Sequence, residues 1–152
     1  MDRNSGWGSA VSLFGEPILG FGDHPFLSNF YPSIVTYEGE VYATVEHAYQ
    51  AAKTLDLKER ETIRKTFSPG KAKKLGKTVL IREDWEEIKV EVMYHLLQQK
   101  FSNPDLKEKL LATGEVYIEE TNTWGDTFWG CCPQGKGKNM LGILLMAIRR
   151  DL

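Results

Sequence analysis

Two carboxylates stand out in the sequence because their neighbours are unusual for solvated acids. Glu46 lies in the stretch VEHAYQAAK, and Asp126 lies in TNTWGDTFWGCC. Carboxyl groups transfer protons to and from reacting atoms when they are held beside a scissile bond. Both residues are therefore candidates for a catalytic site.

Asp126 has three aromatic neighbours, Trp124, Phe128 and Trp129, in a stretch that glycines interrupt. An Asx turn beside glycine would explain the aspartate without any catalytic role. Indole rings would instead exclude water, which favours a protonated carboxyl group, and their faces stack on flat heterocycles. We favour this second interpretation, a site that holds a planar base and acts on an adjacent bond.

Glu46 begins a polar face if its stretch is helical. Tyr49, Gln50 and Lys53 then follow at positions i+3, i+4 and i+7 of the same face. An acid in the first turn of a helix is also favoured by the helix dipole alone, with no further role. Because HAYQAAK contains few charges, this face resembles a site more than a solvated surface.

Two lysine-rich stretches could bind phosphate. GKAKKLGK contains Lys71 and Lys74 among its four lysines, and GKGKN precedes a predicted helix at residue 139. Backbone N–H groups at a helix N-terminus attract anions, although neither stretch is a Walker A loop. For the first stretch, a solvent-exposed lysine face without a ligand is as good an explanation as a phosphate site.

No metal or redox cofactor is expected. The three histidines lack metal-ligand spacing, and the only cysteines, Cys131 and Cys132, are adjacent in sequence. Neighbouring cysteines rarely pair, and no second pair completes a zinc site. We expect a reduced thiol without a catalytic role.

Composition indicates a globular cytoplasmic protein. The 152 residues are 41% hydrophobic and 26% charged, with a formal net charge of −2. No apolar run reaches the ~20 residues of a membrane span, and no secretory signal is recognisable. The near-neutral charge makes nucleic acid a less favoured partner, and we expect no membrane association.

The elements that would position these residues are mostly helices. Residues 34–43 predict a hairpin turning at Glu38-Gly39, and Thr44, Ser68 and Asn139 are predicted N-caps. The stretch from Asp84 to Ser102 predicts the longest helix, residues 115–120 predict a strand, and 140–150 predict a helix buried on all sides. The predicted fold is α+β, a single helix-rich domain with a small local hairpin or sheet.

Several stretches together resemble the NADAR family. They run in order from Phe26 to Arg150, FLSNFYPSIVTYEGEVYATVEHAYQAAK, GKAKKLGK, REDWEEIKVEVMYHLLQQKF, WGDTFWG and GKGKNMLGILLMAIR. The resemblance assigns residues 24–152 to an N-glycosidase domain of this kind, and it leaves residues 1–23 as a loose N-terminal arm.

The resemblance also implies site residues. Glu46 would be the catalytic glutamate and Asp126 the site aspartate, with no cofactor. The residues expected to line the substrate pocket are Trp85, Trp129, Lys53, Asn29 and Asn139, and Lys71 and Lys74 are expected to contact phosphate.

The family includes an N-glycosidase acting on riboflavin biosynthesis intermediates and hydrolases that remove ADP-ribose from guanine. The expected reaction is hydrolysis of the bond between a phosphorylated ribose and an exocyclic amine of a heterocycle, most simply a ribosylamino-pyrimidine 5′-phosphate. The alternatives are ADP-ribosyl-guanine hydrolysis on nucleic acid and a binding module that recognises ADP-ribose or a nucleotide without turnover. Paired carboxylates are the first expected mechanism, and a Schiff base formed by Lys53 is the second.

Overall fold

The structure is a computed structural model that describes residues 14–152, and its fold is α+β and helix-rich, as predicted. Two compact units make up this part of the chain. One consists of residues 14–27 together with Pro104–Leu152, and the other is the continuous stretch Ser28–Asn103. The strands are β1 (Ile18–Leu19), β2 (Val35–Tyr37), β3 (Glu40–Tyr42) and β4 (Ile118–Glu119), and the α-helices are α1 (Val45–Ala52), α2 (Leu57–Lys65), α3 (Pro69–Gly76), α4 (Trp85–Lys100), α5 (Pro104–Ala112) and α6 (Met140–Asp151).

The predicted hairpin is confirmed in the Ser28–Asn103 unit. Val35 of β2 pairs with Tyr42 of β3 in an antiparallel ladder. Glu38 and Gly39 turn between the strands with φ angles of 46° and 86°. Two consecutive positive φ values are typical of a type I′ turn, whose twist matches that of the flanking strands. The hairpin leads directly into α1.

Side-chain caps begin the next three helices. The Oγ1 atom of Thr44 accepts a hydrogen bond of 3.0 Å from the backbone N–H of His47, and Ser68 Oγ accepts one of 3.1 Å from Lys71. Both caps were predicted. Asp56, which was not, caps α2 by accepting from the N–H groups of Lys58 and Glu59. Each cap satisfies backbone donors that have no partner within the helix.

Helix α1 packs against α2, α3 and α4. All eight of its residues are buried, including three polar ones. The long helix α4 buries one apolar face, Trp85, Val92, Met93, Leu96 and Leu97. The core of this unit therefore surrounds α1, and it places polar side chains of α1 in a region of low water content.

Lys100 ends α4 with a fully buried ammonium group. Its Nζ atom donates a 2.7 Å hydrogen bond to the carbonyl oxygen of Ser28. The rings of Tyr31 and Phe101 lie 5.8 and 5.2 Å away from Nζ. Burial lowers the pKa of Lys100 to about 7, because removal of water penalises the charged form.

The other unit contains a strand pairing that sequence reasoning missed. β1 runs parallel to β4, with Ile18 opposite Ile118. The predicted strand over 115–120 is shorter than expected, since β4 comprises only Ile118–Glu119. The predicted arm, residues 1–23, thus includes one short paired strand, while residues 1–13 lie outside the described residues.

Helix α6 is buried on one side only. Leu141, Leu145 and Ile148 are buried, but Ile143 is 47% exposed, so the prediction of burial on all sides was wrong. Asn139 precedes the helix in the left-handed conformation with a φ of 51°, and its side chain makes no capping hydrogen bond, so the predicted side-chain cap was wrong. Within residues 14–152, no helix has the length and apolar content needed to cross a membrane.

Candidate active site

Glu46 is a buried carboxylate in the first turn of α1, only 7% exposed. The Nε2 atom of Gln50, one turn later, donates a 3.1 Å hydrogen bond to Glu46 Oε1. The partial positive charge of the helix N-terminus favours the ionised form at this position. The interpretation of this face as a solvated surface is therefore wrong for Glu46.

The backbone of Asn29 is hydrogen-bonded to the backbone of Glu46. Its carbonyl oxygen accepts a 3.1 Å hydrogen bond from the N–H of Glu46, and its Nδ2 atom lies 3.5 Å from Met93 Sδ. Its Oδ1 atom is buried and has no hydrogen-bond partner among the described residues. An unpartnered buried acceptor is costly, and a donor group of a ligand would satisfy it.

Lys53 follows α1 on the same face as Glu46. Its pKa is lowered, mainly because burial disfavours the ammonium form, and the nearby Glu46 carboxylate partly opposes this effect. Three further lysines act on it in the same direction as burial, Lys73, Lys77 and Lys89. An amine with a lowered pKa is a better nucleophile near neutral pH than an exposed lysine.

An aromatic pair borders this group. The ring of Trp85, which begins α4, lies 5.1 Å from the ring of Tyr49 at an interplanar angle of 55°. Trp85 is 5% exposed and Tyr49 is 6% exposed. Within its own unit, Trp85 therefore contacts Tyr49 on the helix that carries Glu46, and its expected place in the substrate pocket stays a prediction.

The lysines near this face differ from the two selected in the sequence. Lys71 and Lys74 of α3 are exposed, as is Lys77, the C-cap residue of this helix, while Lys73 is half-buried. The charges of Lys73 and Lys77 lower the pKa of Lys53. Lys73 and Lys77 are four residues apart and share one side of the helix axis. Their i,i+4 spacing was visible in the sequence, but the side of α3 that faces α1 was not.

Lys89 is a further cation that sequence reasoning missed. It lies on α4 one turn after Trp85, and its side chain is 14% exposed. Its Nζ atom forms an ion pair with Glu86 Oε2 at 2.5 Å. The i,i+4 relation to Trp85 was the signal that could have identified it.

Asp126 lies in the other unit and organises a tight turn. Its Oδ1 atom accepts hydrogen bonds from the N–H groups of Phe128 at 3.2 Å and Trp129 at 2.9 Å. The side chain of Asn122 bonds both the N–H and the carbonyl oxygen of Asp126. This is the arrangement expected of an Asx turn, and it fixes the carboxylate whatever else the carboxylate does.

Trp129 packs edge-on against Phe128, with ring centres 4.9 Å apart. It is half-buried, and Trp124 is 62% exposed. The aromatic residues around Asp126 therefore form a partly open wall rather than a closed core. The expectation that Asp126 and Glu46 meet in one pocket stays a prediction.

Asn139 is buried and binds the backbone around β4. Its Oδ1 atom accepts from the N–H of Glu120, and its Nδ2 atom donates to the carbonyl oxygen of Ile118, both at 2.9 Å. These bonds attach the start of α6 to the strand. They use both ends of the amide, so the position of Asn139 is explained by the fold, and its expected place in the pocket stays a prediction.

Among residues 14–152, no group of three histidine, cysteine, aspartate or glutamate side chains could hold a metal ion. Cys131 is buried and Cys132 is half-buried, and neither forms a disulfide. The described chemistry is thus that of a carboxylate, an amine, amides and aromatic rings.

Comparison with known proteins gives a consistent assignment. The model of the NADAR domain matches residues 20–152. N-glycosidase YbiA of Escherichia coli is 40% identical over 133 residues, which cover 86% of this chain and 82% of that protein. An N-glycosidase of Nostoc punctiforme is 36% identical and covers 82% of this chain.

A riboflavin biosynthesis protein of Vibrio vulnificus is 38% identical over 86% of this chain, but the match spans only 36% of that longer protein. The NMR structure of E. coli YbiA matches with a TM-score of 0.77 and 38% identity, covering 89% of this chain and 84% of YbiA. Relatives of this identity and coverage, named as N-glycosidases, indicate that the chain is a glycosidase enzyme. With the domain model matched over residues 20–152, the chain belongs to the NADAR domain family.

Proposed function

We propose that this enzyme hydrolyses the N-glycosidic bond between a ribose 5′-phosphate and the exocyclic amine of a pyrimidine, the linkage found in riboflavin-pathway intermediates. The observation that carries the proposal is the buried face of α1. There a carboxylate, Glu46, and an amine with a lowered pKa, Lys53, lie on one helix face beside the rings of Tyr49 and Trp85. The names of the E. coli and Vibrio relatives support this substrate class.

Glu46 supplies the proton transfers. Cleavage of an N-glycoside develops positive charge on the sugar and negative charge on the departing amine. The Glu46 carboxylate, placed beside C1′, takes protons from the attacking group, passes them to the leaving nitrogen and then activates water. Asp126 is proposed as a second carboxylate of the site, with the turn bonds to Oδ1 fixing its orientation.

Lys53 is the proposed nucleophile. The ribosylamine linkage is an aminal, so the sugar ring can open. The N–H proton moves to the ring oxygen, and the nitrogen forms an imine with C1′. The neutral amine of Lys53 adds to C1′, and the Glu46 carboxylate carries the two protons of the Lys53 nitrogen to the heterocyclic nitrogen, which leaves as a free amine. Water then hydrolyses the Schiff base to release the sugar phosphate and free lysine. The lowered pKa of Lys53 and its closeness to Glu46 support this route over direct attack by water on a closed ring.

The phosphate site is proposed on the lysines around Lys53. Lys73 and Lys77 of α3 and Lys89 of α4 all disfavour the charged form of Lys53, so they lie close to it. A phosphate group would offset this mutual repulsion. This proposal differs from the pair Lys71 and Lys74 expected from the sequence, because the charges of Lys73 and Lys77 act on Lys53.

The test is a product analysis with two substrates. The enzyme is incubated separately with a ribosylamino-pyrimidine 5′-phosphate and with ADP-ribosylated guanine in DNA, and products are identified by mass spectrometry. We expect free aminopyrimidine and ribose 5-phosphate from the first, and loss of this turnover in Glu46→Gln with substrate binding retained. Release of ADP-ribose from guanine alone would assign the other substrate class. Binding of either compound without products would indicate a binding module.

A further inference from the structure

Gln50 connects the candidate catalytic carboxylate to helix α3. Its side chain is 4% exposed, and its Nε2 atom donates to Glu46 Oε1 at 3.1 Å. The opposite orientation of the amide would set its oxygen against the oxygen of an ionised carboxylate, which is unfavourable. The carboxylate of Glu46 therefore determines which way the Gln50 amide points.

The far end of the same amide lies against Gly76. A methyl group on Gly76 would overlap Gln50 Oε1 and would approach Gln50 Cδ to 2.7 Å and Cβ to 3.2 Å. Oε1 is buried and makes no hydrogen bond to any residue that the structure describes. The amide therefore fits because residue 76 has no side chain, and not because a second hydrogen bond holds its oxygen.

From this contact we infer that Gln50 and Gly76 are positioning residues for the carboxylate of Glu46. The missing side chain of Gly76 accommodates the Gln50 amide, and the amide then orients Glu46 and stabilises its ionised form. This inference rests on the catalytic role proposed for Glu46. It gives helix α3 a role in positioning Glu46, in addition to its proposed role in binding phosphate.

The same helix contains a matched control. Gly70 also lies in α3, and a methyl group added there would meet no atom within 4 Å. Gly70→Ala and Gly76→Ala thus make the same chemical change in one helix, and only the second affects the amide. Neither residue would contact substrate in the proposed reaction.

The experiment is a double-variant cycle with Gly76→Ala, Gln50→Ala and their combination, assayed on the ribosylamino-pyrimidine phosphate. We expect Gly76→Ala to lower kcat on the order of 10²-fold with little change in KM, because misplacement of a catalytic group acts mainly on the chemical step. Gly70→Ala should retain wild-type kcat. In the Gln50→Ala background the overlapping Oε1 and Cδ atoms are gone, and only Cβ remains, 3.2 Å from the added methyl group. Gly76→Ala should therefore cause little further loss of kcat there.

The pH profile separates positioning from general damage. A carboxylate that loses a hydrogen-bond donor is less stable in its charged form. The limb of the kcat profile set by Glu46 should therefore move to higher pH, by the same amount in Gly76→Ala and Gln50→Ala. An unmoved limb, independent losses that multiply in the double variant, or full activity of Gly76→Ala would each overturn the inference.

Folding is followed by circular dichroism and thermal unfolding for every variant. If Gly76→Ala does not fold, the double variant decides. A folded double variant with the kcat and pH profile of Gln50→Ala supports the inference, and an unfolded one overturns it, because the disruption would then not come from the Gln50 amide. Undiminished turnover by Glu46→Gln would contradict the proposed function itself, which keeps the two failures distinct.

Discussion

The Nζ atom of Lys53 lies 5.6 Å from the centre of the Tyr49 ring, one helical turn back along α1. The ring covers one side of an amine whose pKa burial already lowers. Lys53 therefore combines a fixed position with an increased fraction of the neutral, nucleophilic form.

Borohydride trapping tests Lys53 as the nucleophile. With substrate present, reduction of the Schiff base should leave a sugar phosphate on Lys53, seen as a mass increase on the peptide that contains it. Lys53→Arg keeps the positive charge but forms no imine, so trapping and turnover should both disappear. Since the pKa of Lys53 is lowered, turnover should rise with pH along a limb that lies below the ordinary range of lysine. Turnover by Lys53→Arg at the wild-type rate would favour direct hydrolysis.

Lysines on the two sides of α3 should differ in their effect on phosphate. Lys73→Ala and Lys77→Ala should each raise KM for the phosphorylated substrate by about tenfold or more, as expected when a hydrogen bond to a charged group is lost. Lys71→Ala and Lys74→Ala are controls of the same chemistry at the other two lysines of this stretch. A larger loss in the controls would restore the assignment made from the sequence, and equal KM for a dephosphorylated substrate would remove phosphate binding from α3.

Substitutions of Asp126 distinguish a turn from a catalytic group. Asp126→Asn keeps the Oδ1 acceptor for the N–H groups of Phe128 and Trp129, so its free energy of unfolding should change by less than about 0.5 kcal/mol. Asp126→Ala removes the acceptor and should cost about 1 kcal/mol or more. If Asp126 also acts in the site, Asp126→Asn lowers kcat by about 10²–10⁴-fold, which we expect. Full turnover by this variant would leave Asp126 with the turn alone.

Lys100 should make stability depend on pH. Its pKa is about 7 in the folded protein and near 10.4 in the unfolded chain, so between these values the unfolded state binds more protons. The free energy of unfolding, measured relative to Lys100→Met, should therefore rise by about 1.4 kcal/mol per pH unit between about 7 and 10 and level off outside that window. Urea unfolding at several pH values measures this difference. Lys107→Met, at an exposed position on α5, should change the free energy of unfolding by an amount that does not depend on pH. A pH-independent change for Lys100→Met would mean that the Ser28 carbonyl and the adjacent rings fully stabilise the Lys100 ammonium.

Local features were predictable from the sequence, and features that depend on distant contacts were not. The turn at Glu38-Gly39 and the caps at Thr44 and Ser68 depend on residues within four positions of each other, so residue type was enough to predict them. The pairing of β1 with β4 joins segments far apart in sequence, and two-residue strands carry no periodicity to detect.

The site shows the same division. The helix face from Glu46 to Lys53 follows from helical spacing alone. The choice between Lys71 and Lys73 required knowledge of which side of α3 meets α1, and that side is set by Ala72 and Gly76, both buried. Two small residues four positions apart were the available signal for a close helix contact. For Asp126, the Asx turn was considered from the adjacent glycine, and the hydrogen bonds to Phe128 and Trp129 match it.

The parallel pairing of Ile18 with Ile118 also constrains the order in which the chain can acquire its structure. All contacts internal to the Ser28–Asn103 unit can form once residue 103 has left the ribosome. β1 is made first but has to wait for about 100 further residues before its partner strand exists. Closing so long a loop carries an entropic cost that the earlier contacts do not, so the β1–β4 ladder belongs to the last steps of folding during synthesis.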